Sequence, residues 1–394
     1  MTETVRYTYR LRPGAQAEAA LLAEWHRCRW LWNEAVHQQK TGRKPAMCKL
    51  SRLLTEARAG CAWLREGSQV AQQQTLRTFA AALEHSFRVK GRGRPKIKHR
   101  KTALPSLEDT TRGFSVRDGH LALPTGVCIP VVWSRELPSD PKSVRVYRDN
   151  LGHWYASFVV TREAAPVQPA AGAIGVDWGV RAPATTTDPA CDLPCPGHRK
   201  RCAAEVARAQ RKMARRARRR GRKLHGPQSR GYRQAERQSA RAQKKAARQN
   251  QHDGRQWARK VAAGHRLIAV EDFRPKFLAK STMARKAADS SVGTLKRTLI
   301  EYGMRAGRKV VLVQPAYTTM TCSECGEKQA RLGLAERTFR CASCGYVADR
   351  DRNAARVILA VAERGHASAD DVSHWRPPPH GASLVRSELE IPRL

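Results

Sequence analysis

Four cysteines in the C-terminal third of the chain have the types and the spacing of a metal site. Cys322 and Cys325 form one C-x-x-C pair, Cys341 and Cys344 form another, and fifteen residues separate the two pairs. A glycine follows each pair directly, which permits a tight turn that aims both thiolates at one ion. Four thiolates complete the tetrahedral shell of Zn²⁺ and leave no open coordination position. We therefore predict a structural zinc ribbon here, in preference to four free thiols.

Three carboxylates stand at the ends of predicted elements, where an α/β nuclease needs metal ligands. Asp177 ends the predicted strand 174–176, Glu271 ends the predicted strand 267–270, and Asp351 begins a predicted helix. Any one of them alone is more typical of a solvated strand end or a helix cap. Cleavage of a phosphodiester requires charge stabilisation on the attacking and the leaving oxygen, which two Mg²⁺ ions about 3.5 to 4 Å apart provide. Since Mg²⁺ prefers hard oxygen ligands on rigid elements, the three acids together predict a catalytic Mg²⁺ site.

A second group of possible ligands lies further upstream, with the pattern C-x3-C-x2-H-x3-C. It consists of Cys191, Cys195, His198 and Cys202. These residue types bind zinc in many proteins, but the group lacks the paired C-x-x-C pattern and lies beside a basic run. Two interpretations therefore stay open, a second metal site and a set of scattered thiols, and the spacing favours the second.

The charge of the chain points to a polyanionic partner. The sequence holds 74 Lys and Arg against 34 Asp and Glu, which gives a formal net charge of +40 and a pI near 10.9. Such a charge resists compaction unless a nucleic acid neutralises it. The sequence has no apolar run of about 18 residues and no secretory signal at its N-terminus. We expect a cytoplasmic, nucleoid-associated protein without a membrane partner, in which eleven cysteines serve as metal ligands and thiols rather than disulfides.

The N-terminal part is predicted to combine helices with a small β domain. Apolar and polar residues alternate over 5–11 and again in short runs over 113–161, which indicates an antiparallel barrel or sandwich that recruits the first strand. Helical spacing over 16–37 predicts one or two helices, and a further helix is predicted over 69–87. The basic, Gly- and Pro-containing segment 90–101 is predicted to be a linker that follows a phosphate backbone.

The C-terminal part alternates strands and helices and is predicted to be an α/β domain. Its basic stretch 199–248 has no regular apolar spacing and is predicted to form two exposed helices that lie on nucleic acid. Gly179, directly after Asp177-Trp178, is expected to let the substrate approach closely. The other predicted elements are the strand 173–176, the strand 267–270, the helix 292–306, the strand 309–313 and a flexible tail from Gly365.

Several segments in this order resemble the OrfB/TnpB family of transposon-encoded proteins. They are IGVDWGV, IAVEDF, PAYTTMTCSECG, FRCASCGY and DRDRNAARVIL, together with the N-terminal YTYRLRPGAQAEAALLAEWHRCRWLWNEAV. The resemblance implies an RNA-guided DNA endonuclease with a RuvC-like domain related to the type V CRISPR effectors, with guide RNA and target DNA as partners. Because the third acid of that family stands two residues before an Asn, the resemblance favours Asp351 over Asp349. Trp178 is bulkier than the aliphatic residue often found there.

The resemblance also implies a domain plan of the multidomain α/β plus β class. The nuclease domain is RNase H-like and carries the zinc ribbon as an insertion, and the β-barrel wedge that precedes it carries a helical insert. The implied boundaries are 1–12 and 96–165 for the wedge, 13–95 for the recognition insert, 166–172 for a linker, 173–316 and 345–364 for the RuvC-like domain with its basic helices 199–249, 317–344 for the ribbon and 365–394 for the tail.

Three alternatives to a transposon-encoded guided endonuclease stay open at this point. A small type V CRISPR effector would carry the same motifs, although the short chain favours a transposon protein. A guided repressor that binds DNA without cutting is disfavoured because all three acids are present. A transposase that performs strand transfer is disfavoured because no Tyr or Ser nucleophile stands in a recognisable setting. The oligomeric state is left open.

Overall fold

The chain forms two compact units, Met1–Ala164 and Ala165–Leu394. The computed structural model describes residues 2–41, 46–89, 92–100, 102–164, 166, 168–220, 223–273, 283–329, 333 and 336–365, without the side chains at 125, 220, 223 and 285. The predicted tail, beyond Gly365, lies outside the described residues, as do residues 90, 91 and 101 of the predicted linker and five positions of the ribbon segment.

A seven-stranded antiparallel sheet forms the body of the first unit. Its strand order is β2-β6-β7-β1-β5-β4-β3. The N-terminal strand pairs with β7 over its whole length, from Thr2 opposite Glu163 to Leu11 opposite Trp154, so the prediction that it joins the later strands is confirmed. The strands are β1 (Thr2–Leu11), β2 (Ser106–Thr110), β3 (Ser115–Arg117), β4 (His120–Leu123), β5 (Val127–Val132), β6 (Ser143–Arg148) and β7 (Trp154–Glu163).

Four helices lie between β1 and β2 and share an apolar core of their own. They are α1 (Ala15–Thr41), α2 (Met47–Gly60), α3 (Ala62–Arg65) and α4 (Gln69–Arg88). The core between them includes Leu31, Trp32, Leu76 and Phe79. Helix α2 was not predicted, because its buried residues are only Leu50 and Leu54, and so narrow a stripe gives little periodic signal.

The predicted linker 90–101 packs against α1 in its described part. Trp32 Nε1 donates to the carbonyl oxygen of Lys96 at 3.0 Å, and Asn33 Oδ1 accepts from the N–H of Lys98 at 2.8 Å. The ammonium of Lys98 lies 3.6 Å from the ring centre of Trp32, and burial lowers its pKa to about 8. The described part of the predicted linker is therefore packed on α1, where Lys98 interacts with tryptophan, and its expected course along a phosphate backbone stays a prediction.

Asp109 on β2 is a buried carboxyl with an incomplete hydrogen-bond set. Its Oδ1 has no hydrogen-bond partner among the described residues, and Glu24 is a neighbouring acid. Burial, and then the charge of Glu24, raise the pKa of Asp109 from 3.8 to about 7. The ionised form is thus unfavourable in the folded state.

We expect Asp109→Asn to stabilise the first unit at alkaline pH. The folded protein keeps the Asp109 proton up to a pH near 7, whereas the unfolded chain loses it near 3.8, so stability falls as pH rises between these values. The advantage of Asn over Asp should therefore grow by about 2 to 3 kcal/mol between pH 5 and pH 8. Urea-dependent hydrogen exchange of the β2 amides measures it, with the exposed Asp140→Asn as the matched control. An equal effect at both pH values would contradict the assignment.

A four-stranded sheet forms the centre of the second unit, in the order β13-β12-β8-β9. The strands β8, β12 and β13 are parallel, and β9 is antiparallel to β8. Two further pairs of short strands lie outside this sheet. The strands are β8 (Gly172–Asp177), β9 (Thr185–Thr186), β10 (Arg219–Arg220), β11 (Lys223–Leu224), β12 (His265–Glu271), β13 (Lys309–Val313), β14 (Thr338–Arg340) and β15 (Val347–Asp349).

Helices of the second unit cover this sheet and extend beyond it. They are α5 (His198–Arg201), α6 (Ala203–Arg216), α7 (Arg230–Gly264), α8 (Ala284–Ser290), α9 (Val292–Arg305) and α10 (Arg350–Glu363). The prediction of two exposed basic helices needs correction, because α7 buries one face that includes Ala235, Ser239, Ala242, Ala246 and Asn250. Within the described ranges, no helix combines the length and the apolar character that crossing a membrane requires.

Candidate active site and metal centre

Two of the three predicted catalytic acids lie side by side at one edge of the central sheet. In the parallel pairing of β8 and β12, Val176 stands opposite Val270, so the next residue on each strand is Asp177 and Glu271, respectively. Their side chains are 6% and 7% exposed. Two ionised carboxylates that are buried together at the carboxyl ends of neighbouring strands are unfavourable unless a positive charge lies beside them.

The pKa values of the two acids indicate the same need for a positive charge. Burial, followed by the charges of Glu271 and Asp351, raises the pKa of Asp177 well above its usual range. Burial raises the pKa of Glu271 to about 7, against the opposing effects of the Trp178 N–H and the ammonium of Lys296. A divalent cation between the carboxylates would reverse these shifts, because it stabilises the ionised form of each.

The third predicted acid lies in the first turn of α10. Asp349 is the N-cap and accepts from the N–H of Arg352 at 2.9 Å. The charge of Asp351 raises the pKa of Asp177. Its carboxylate lies 3.3 Å from the guanidinium of Arg350 and 3.5 Å from that of Arg337. The two neighbouring acids therefore differ in role, since Asp349 caps the helix and the charge of Asp351 raises the pKa of Asp177.

Gly175 explains how α10 comes close enough to bring Asp351 into this group. A Cβ at position 175 would clash with the carbonyl oxygen of Ala355 in α10, so only glycine allows the helix to lie directly on β8. This role of Gly175 was not predicted from the sequence. At Gly179, a Cβ would lie 2.6 Å from the carbonyl oxygen of Ala182. A side chain at position 179 would therefore meet the backbone of the chain itself, and the expected role of Gly179 in substrate approach stays a prediction.

Trp178 holds the second acid in place. Its indole Nε1 donates to the carbonyl oxygen of Glu271 at 3.1 Å, and its ring packs edge-on against Trp257 at 6.0 Å between centroids. The bulky side chain noted in the sequence is thus buried against Trp257 of α7. Its indole hydrogen bond connects the end of β8 to the end of β12.

The three acids are near one another but not drawn into one tight cluster. The described part of the chain contains two groups of three or more metal-ligating side chains whose ligand atoms all lie within 4.8 Å of one another, and the three acids are neither of them. The donor set consists of oxygen atoms only, which fits Mg²⁺.

The four predicted zinc ligands do form a cluster. The sulfur atoms of Cys322, Cys325, Cys341 and Cys344 all lie within 4.8 Å of one another. Sγ of Cys322 is 3.7 Å from that of Cys344, and Sγ of Cys325 is 3.6 Å from that of Cys341. A tetrahedral ion with Zn–S bonds of about 2.3 Å separates its sulfurs by about 3.8 Å, whereas a disulfide requires about 2.05 Å. The cluster therefore fits one Zn²⁺.

Each cysteine pair sits on a turn that its glycine makes possible. Gly326 and Gly345 have φ angles of 78° and 72°, which L side chains rarely adopt. Their N–H groups donate to the carbonyl oxygens of Cys322 and Cys341, both at 3.0 Å. The same local geometry at both pairs brings four thiols to one point.

Asn353 connects the cysteine cluster to the helix that carries Asp351. Its buried side chain donates to the carbonyl oxygen of Thr321 at 2.8 Å and accepts from the N–H of Ser323 at 3.0 Å. On the other side, β15 ends at Asp349, one residue before α10 begins. In the sequence, Asn353 was only a marker of the motif. Its position shows that the cluster fixes the start of α10 from two directions.

The group Cys191, Cys195, His198 and Cys202 is not assembled among the described residues. His198 Nε2 instead lies 2.6 Å from a carboxylate oxygen of Asp253. Cys202 donates its S–H to the carbonyl oxygen of Arg199. The interpretation of these four residues as one metal site therefore finds no support in their positions.

Comparisons with known proteins agree with these motifs. A family model described as "Cas12f1-like, TNB domain" matches residues 293–358. A Streptomyces pristinaespiralis protein, provisionally named an RNA-guided DNA endonuclease, is 28% identical over 98% of each chain. InsQ of Escherichia coli strain K12, with the same provisional name, is 26% identical over 94% of this chain and 95% of its own. The TnpB-like protein L79 of Acanthamoeba polyphaga mimivirus is 45% identical over 82 residues, which are 21% of this chain and 15% of its own. The chain is therefore similar over nearly its whole length to proteins named as RNA-guided DNA endonucleases, and over shorter segments to a Cas12f1-like TNB domain and to a TnpB-like protein.

Proposed function

We propose that the protein is an RNA-guided DNA endonuclease whose catalytic residues are Asp177, Glu271 and Asp351. The observation that carries the proposal is the burial of Asp177 beside Glu271 at one edge of the sheet, with Asp351 delivered by α10. Two buried neighbouring carboxylates with raised pKa values, as at Asp177 and Glu271, are a feature of catalytic sites rather than of solvated strand ends. The relatives named as RNA-guided DNA endonucleases support the same reaction.

The three acids would hold Mg²⁺, which stabilises charge on the attacking and the leaving oxygen of the phosphodiester. The side chains themselves would bind the metal ions and orient them. Asp177 and Glu271 must be ionised to act as ligands, and the N–H of Trp178 and the ammonium of Lys296 favour the ionised form of Glu271. Arg350 and Arg337 hold Asp351 through ion pairs.

The proposed partners are a guide RNA and a target DNA. In guided recognition, base pairing reads the sequence while the protein contacts the backbone of the nucleic acids. The net charge of +40 suits this role. We assign an RNase H-like fold to residues 173–316 and 345–364 and a zinc ribbon to residues 317–344. The first unit is assigned as the wedge and the recognition insert, with the boundaries that the family resemblance implies.

The first half of α7 offers a built surface for a phosphate backbone. Between Arg230 and Arg248, the helix has seven basic residues and one acidic residue. Arg230, Arg233, Arg237 and Arg241 line one face together with two glutamines, around a groove of about 510 Å³. Because the opposite face of the helix is buried, these arginines present a fixed row of positive charge.

We expect the triple variant Arg233→Ala, Arg237→Ala and Arg241→Ala to weaken nucleic-acid binding and to flatten its salt dependence. Loss of three phosphate contacts should reduce the slope of log K against log salt by about 2 to 3. Titration of the RNA complex between 50 and 200 mM salt, as rough limits, measures the slope. The matched control removes three arginines that already pair with glutamates, Arg52, Arg88 and Arg305. An equal change in both variants would count against a specific surface on α7.

The proposed function is tested by recovery of the guide. The full-length protein is purified from its host, the RNA that accompanies it is sequenced, and DNA matched to that RNA is presented with Mg²⁺ or with EDTA. We expect cleavage of matched DNA in Mg²⁺ only. Binding without any cleavage would indicate a guided repressor instead, and the absence of a discrete RNA would overturn the guided function.

A further inference from the structure

A second group of metal-ligating side chains lies at the opposite end of the central sheet from the catalytic acids. Asp188, Cys191 and His265 offer a carboxylate oxygen, a sulfur and a ring nitrogen that all lie within 4.8 Å of one another. Cys191 is 4% exposed, whereas Asp188 and His265 are partly exposed. His265 begins β12, and Glu271 ends it, so about 20 Å of strand separates this group from the proposed active site.

The loop that follows β9 places Asp188 and Cys191 on one short turn. Asp188 Oδ1 accepts from the N–H of Ala190 at 2.9 Å, and the N–H of Cys191 donates to the carbonyl oxygen of Asp188 at 2.9 Å. The hydroxyl of Thr186 donates to the same carbonyl at 2.6 Å. These bonds fix the backbone of the turn, so the two side chains stay on the same side of it.

His265 is oriented in the way that metal-binding histidines are. Its Nδ1 lies 2.9 Å from the carbonyl oxygen of Val261. A carbonyl only accepts, so Nδ1 carries the proton and Nε2 carries the lone pair. A carbonyl that accepts from the other ring nitrogen is the usual partner of a histidine ligand. Gly172 leaves room for the ring, since a Cβ there would lie 3.1 Å from His265 Cδ2.

Two further contacts anchor the turn to α7. Trp257 Nε1 donates to the carbonyl oxygen of Cys191 at 2.7 Å in a buried bond, and Lys260 Nζ donates to the carbonyl oxygen of Ala190 at 2.7 Å. The three ligands therefore stand on two segments, the turn and the start of β12, and both segments are hydrogen-bonded to α7. Such preorganisation is what a metal site requires of its surroundings.

We propose that Asp188, Cys191 and His265 form a second zinc site, separate from the four-cysteine cluster. Thiolate and imidazole select Zn²⁺ over Mg²⁺, which takes oxygen ligands. Three protein ligands leave one position of a tetrahedron for water. The ion would connect the turn after β9 to the start of β12 and so brace the sheet at the end remote from the acids. Cys191 is the only member shared with the C-x3-C-x2-H-x3-C pattern of the sequence.

Metal content of the full-length protein tests this proposal. After dialysis in a zinc-buffered solution, the wild type should hold two zinc ions per chain. Cys191→Ser and His265→Gln should each hold one, while the matched control Cys195→Ser should still hold two. Because His265 is partly exposed, its variant keeps the test valid if removal of the buried Cys191 thiol disturbs folding.

Cobalt substitution assigns the lost ion to its site. Each Co–S bond adds to the thiolate-to-cobalt absorption in the near ultraviolet, so Cys191→Ser should reduce that band by about one fifth, from five sulfur ligands to four. His265→Gln should remove one cobalt ion and leave the four-cysteine spectrum intact. One metal ion per chain in the wild type, or two in both Cys191→Ser and His265→Gln, would overturn the second site.

Discussion

Asp351→Asn is expected to lower DNA cleavage by roughly 10³-fold or more, whereas Asp349→Asn should leave it close to that of the wild type. The two acids are two residues apart but differ in role. The charge of Asp351 raises the pKa of Asp177, whereas Asp349 caps α10 by accepting from the N–H of Arg352. Asparagine is as good an N-cap as aspartate, so Asp349→Asn preserves the helix and removes one charge. The pair thus separates a catalytic carboxylate from a structural one with the same substitution.

The comparison is made on RNA-loaded protein with Mg²⁺, under conditions in which each variant binds the DNA fully. Glu271→Gln should resemble Asp351→Asn, because it removes the second acid without a change of shape. If Asp349→Asn is inactive and Asp351→Asn is active, the third acid has been assigned to the wrong residue.

Cys341→Ser is expected to remove zinc from the four-cysteine cluster and to impair cleavage without removal of any catalytic acid. The substitution leaves three thiolates, and the cluster fixes the start of α10 through Asn353 and through β15. A structural zinc site contributes about 10 to 16 kcal/mol to the folding of isolated zinc-finger peptides, so its loss should unfold this segment. Asp351 would then no longer be held beside Asp177.

Hydrogen exchange of residues 318–358, zinc content and cleavage rate are measured on the same preparations. The control is Cys128→Ser, since Cys128 is an exposed thiol on β5. Exchange should rise in the ribbon and in the first turns of α10, and nucleic-acid binding by the α7 surface should persist. Full activity with normal exchange in Cys341→Ser would show that the ribbon does not position Asp351.

The two strand-end acids could be predicted because strand periodicity and chain order suffice to place them. Asp177 and Glu271 each end an apolar run, and parallel strands bring such ends to one edge. Their burial and raised pKa values depend on the parallel register and on the packing of Trp178, which no local pattern contains. The role of Gly175 was not predicted for the same reason. The clash that explains Gly175 involves Ala355, which lies 180 residues away.

The buried face of the basic helix α7 could not be predicted from the sequence. The buried stripe of α7 consists of small and polar residues such as Ala242, Ala246 and Asn250, whereas periodicity analysis looks for large apolar side chains. The group of Asp188, Cys191 and His265 was not predicted from the sequence for a different reason. Its histidine lies 74 residues after its cysteine, and only the placement of β12 against the loop after β9 brings them together.

The most direct test of the proposed mechanism is the single-turnover cleavage of RNA-matched DNA by Asp177→Asn and by the wild type at equal DNA occupancy. Asparagine keeps the shape of the side chain but removes the charge of the buried acid on β8. We expect the variant to give the same DNA footprint as the wild type and no measurable cleavage in Mg²⁺. Cleavage by Asp177→Asn at the wild-type rate would contradict the assignment of the active site.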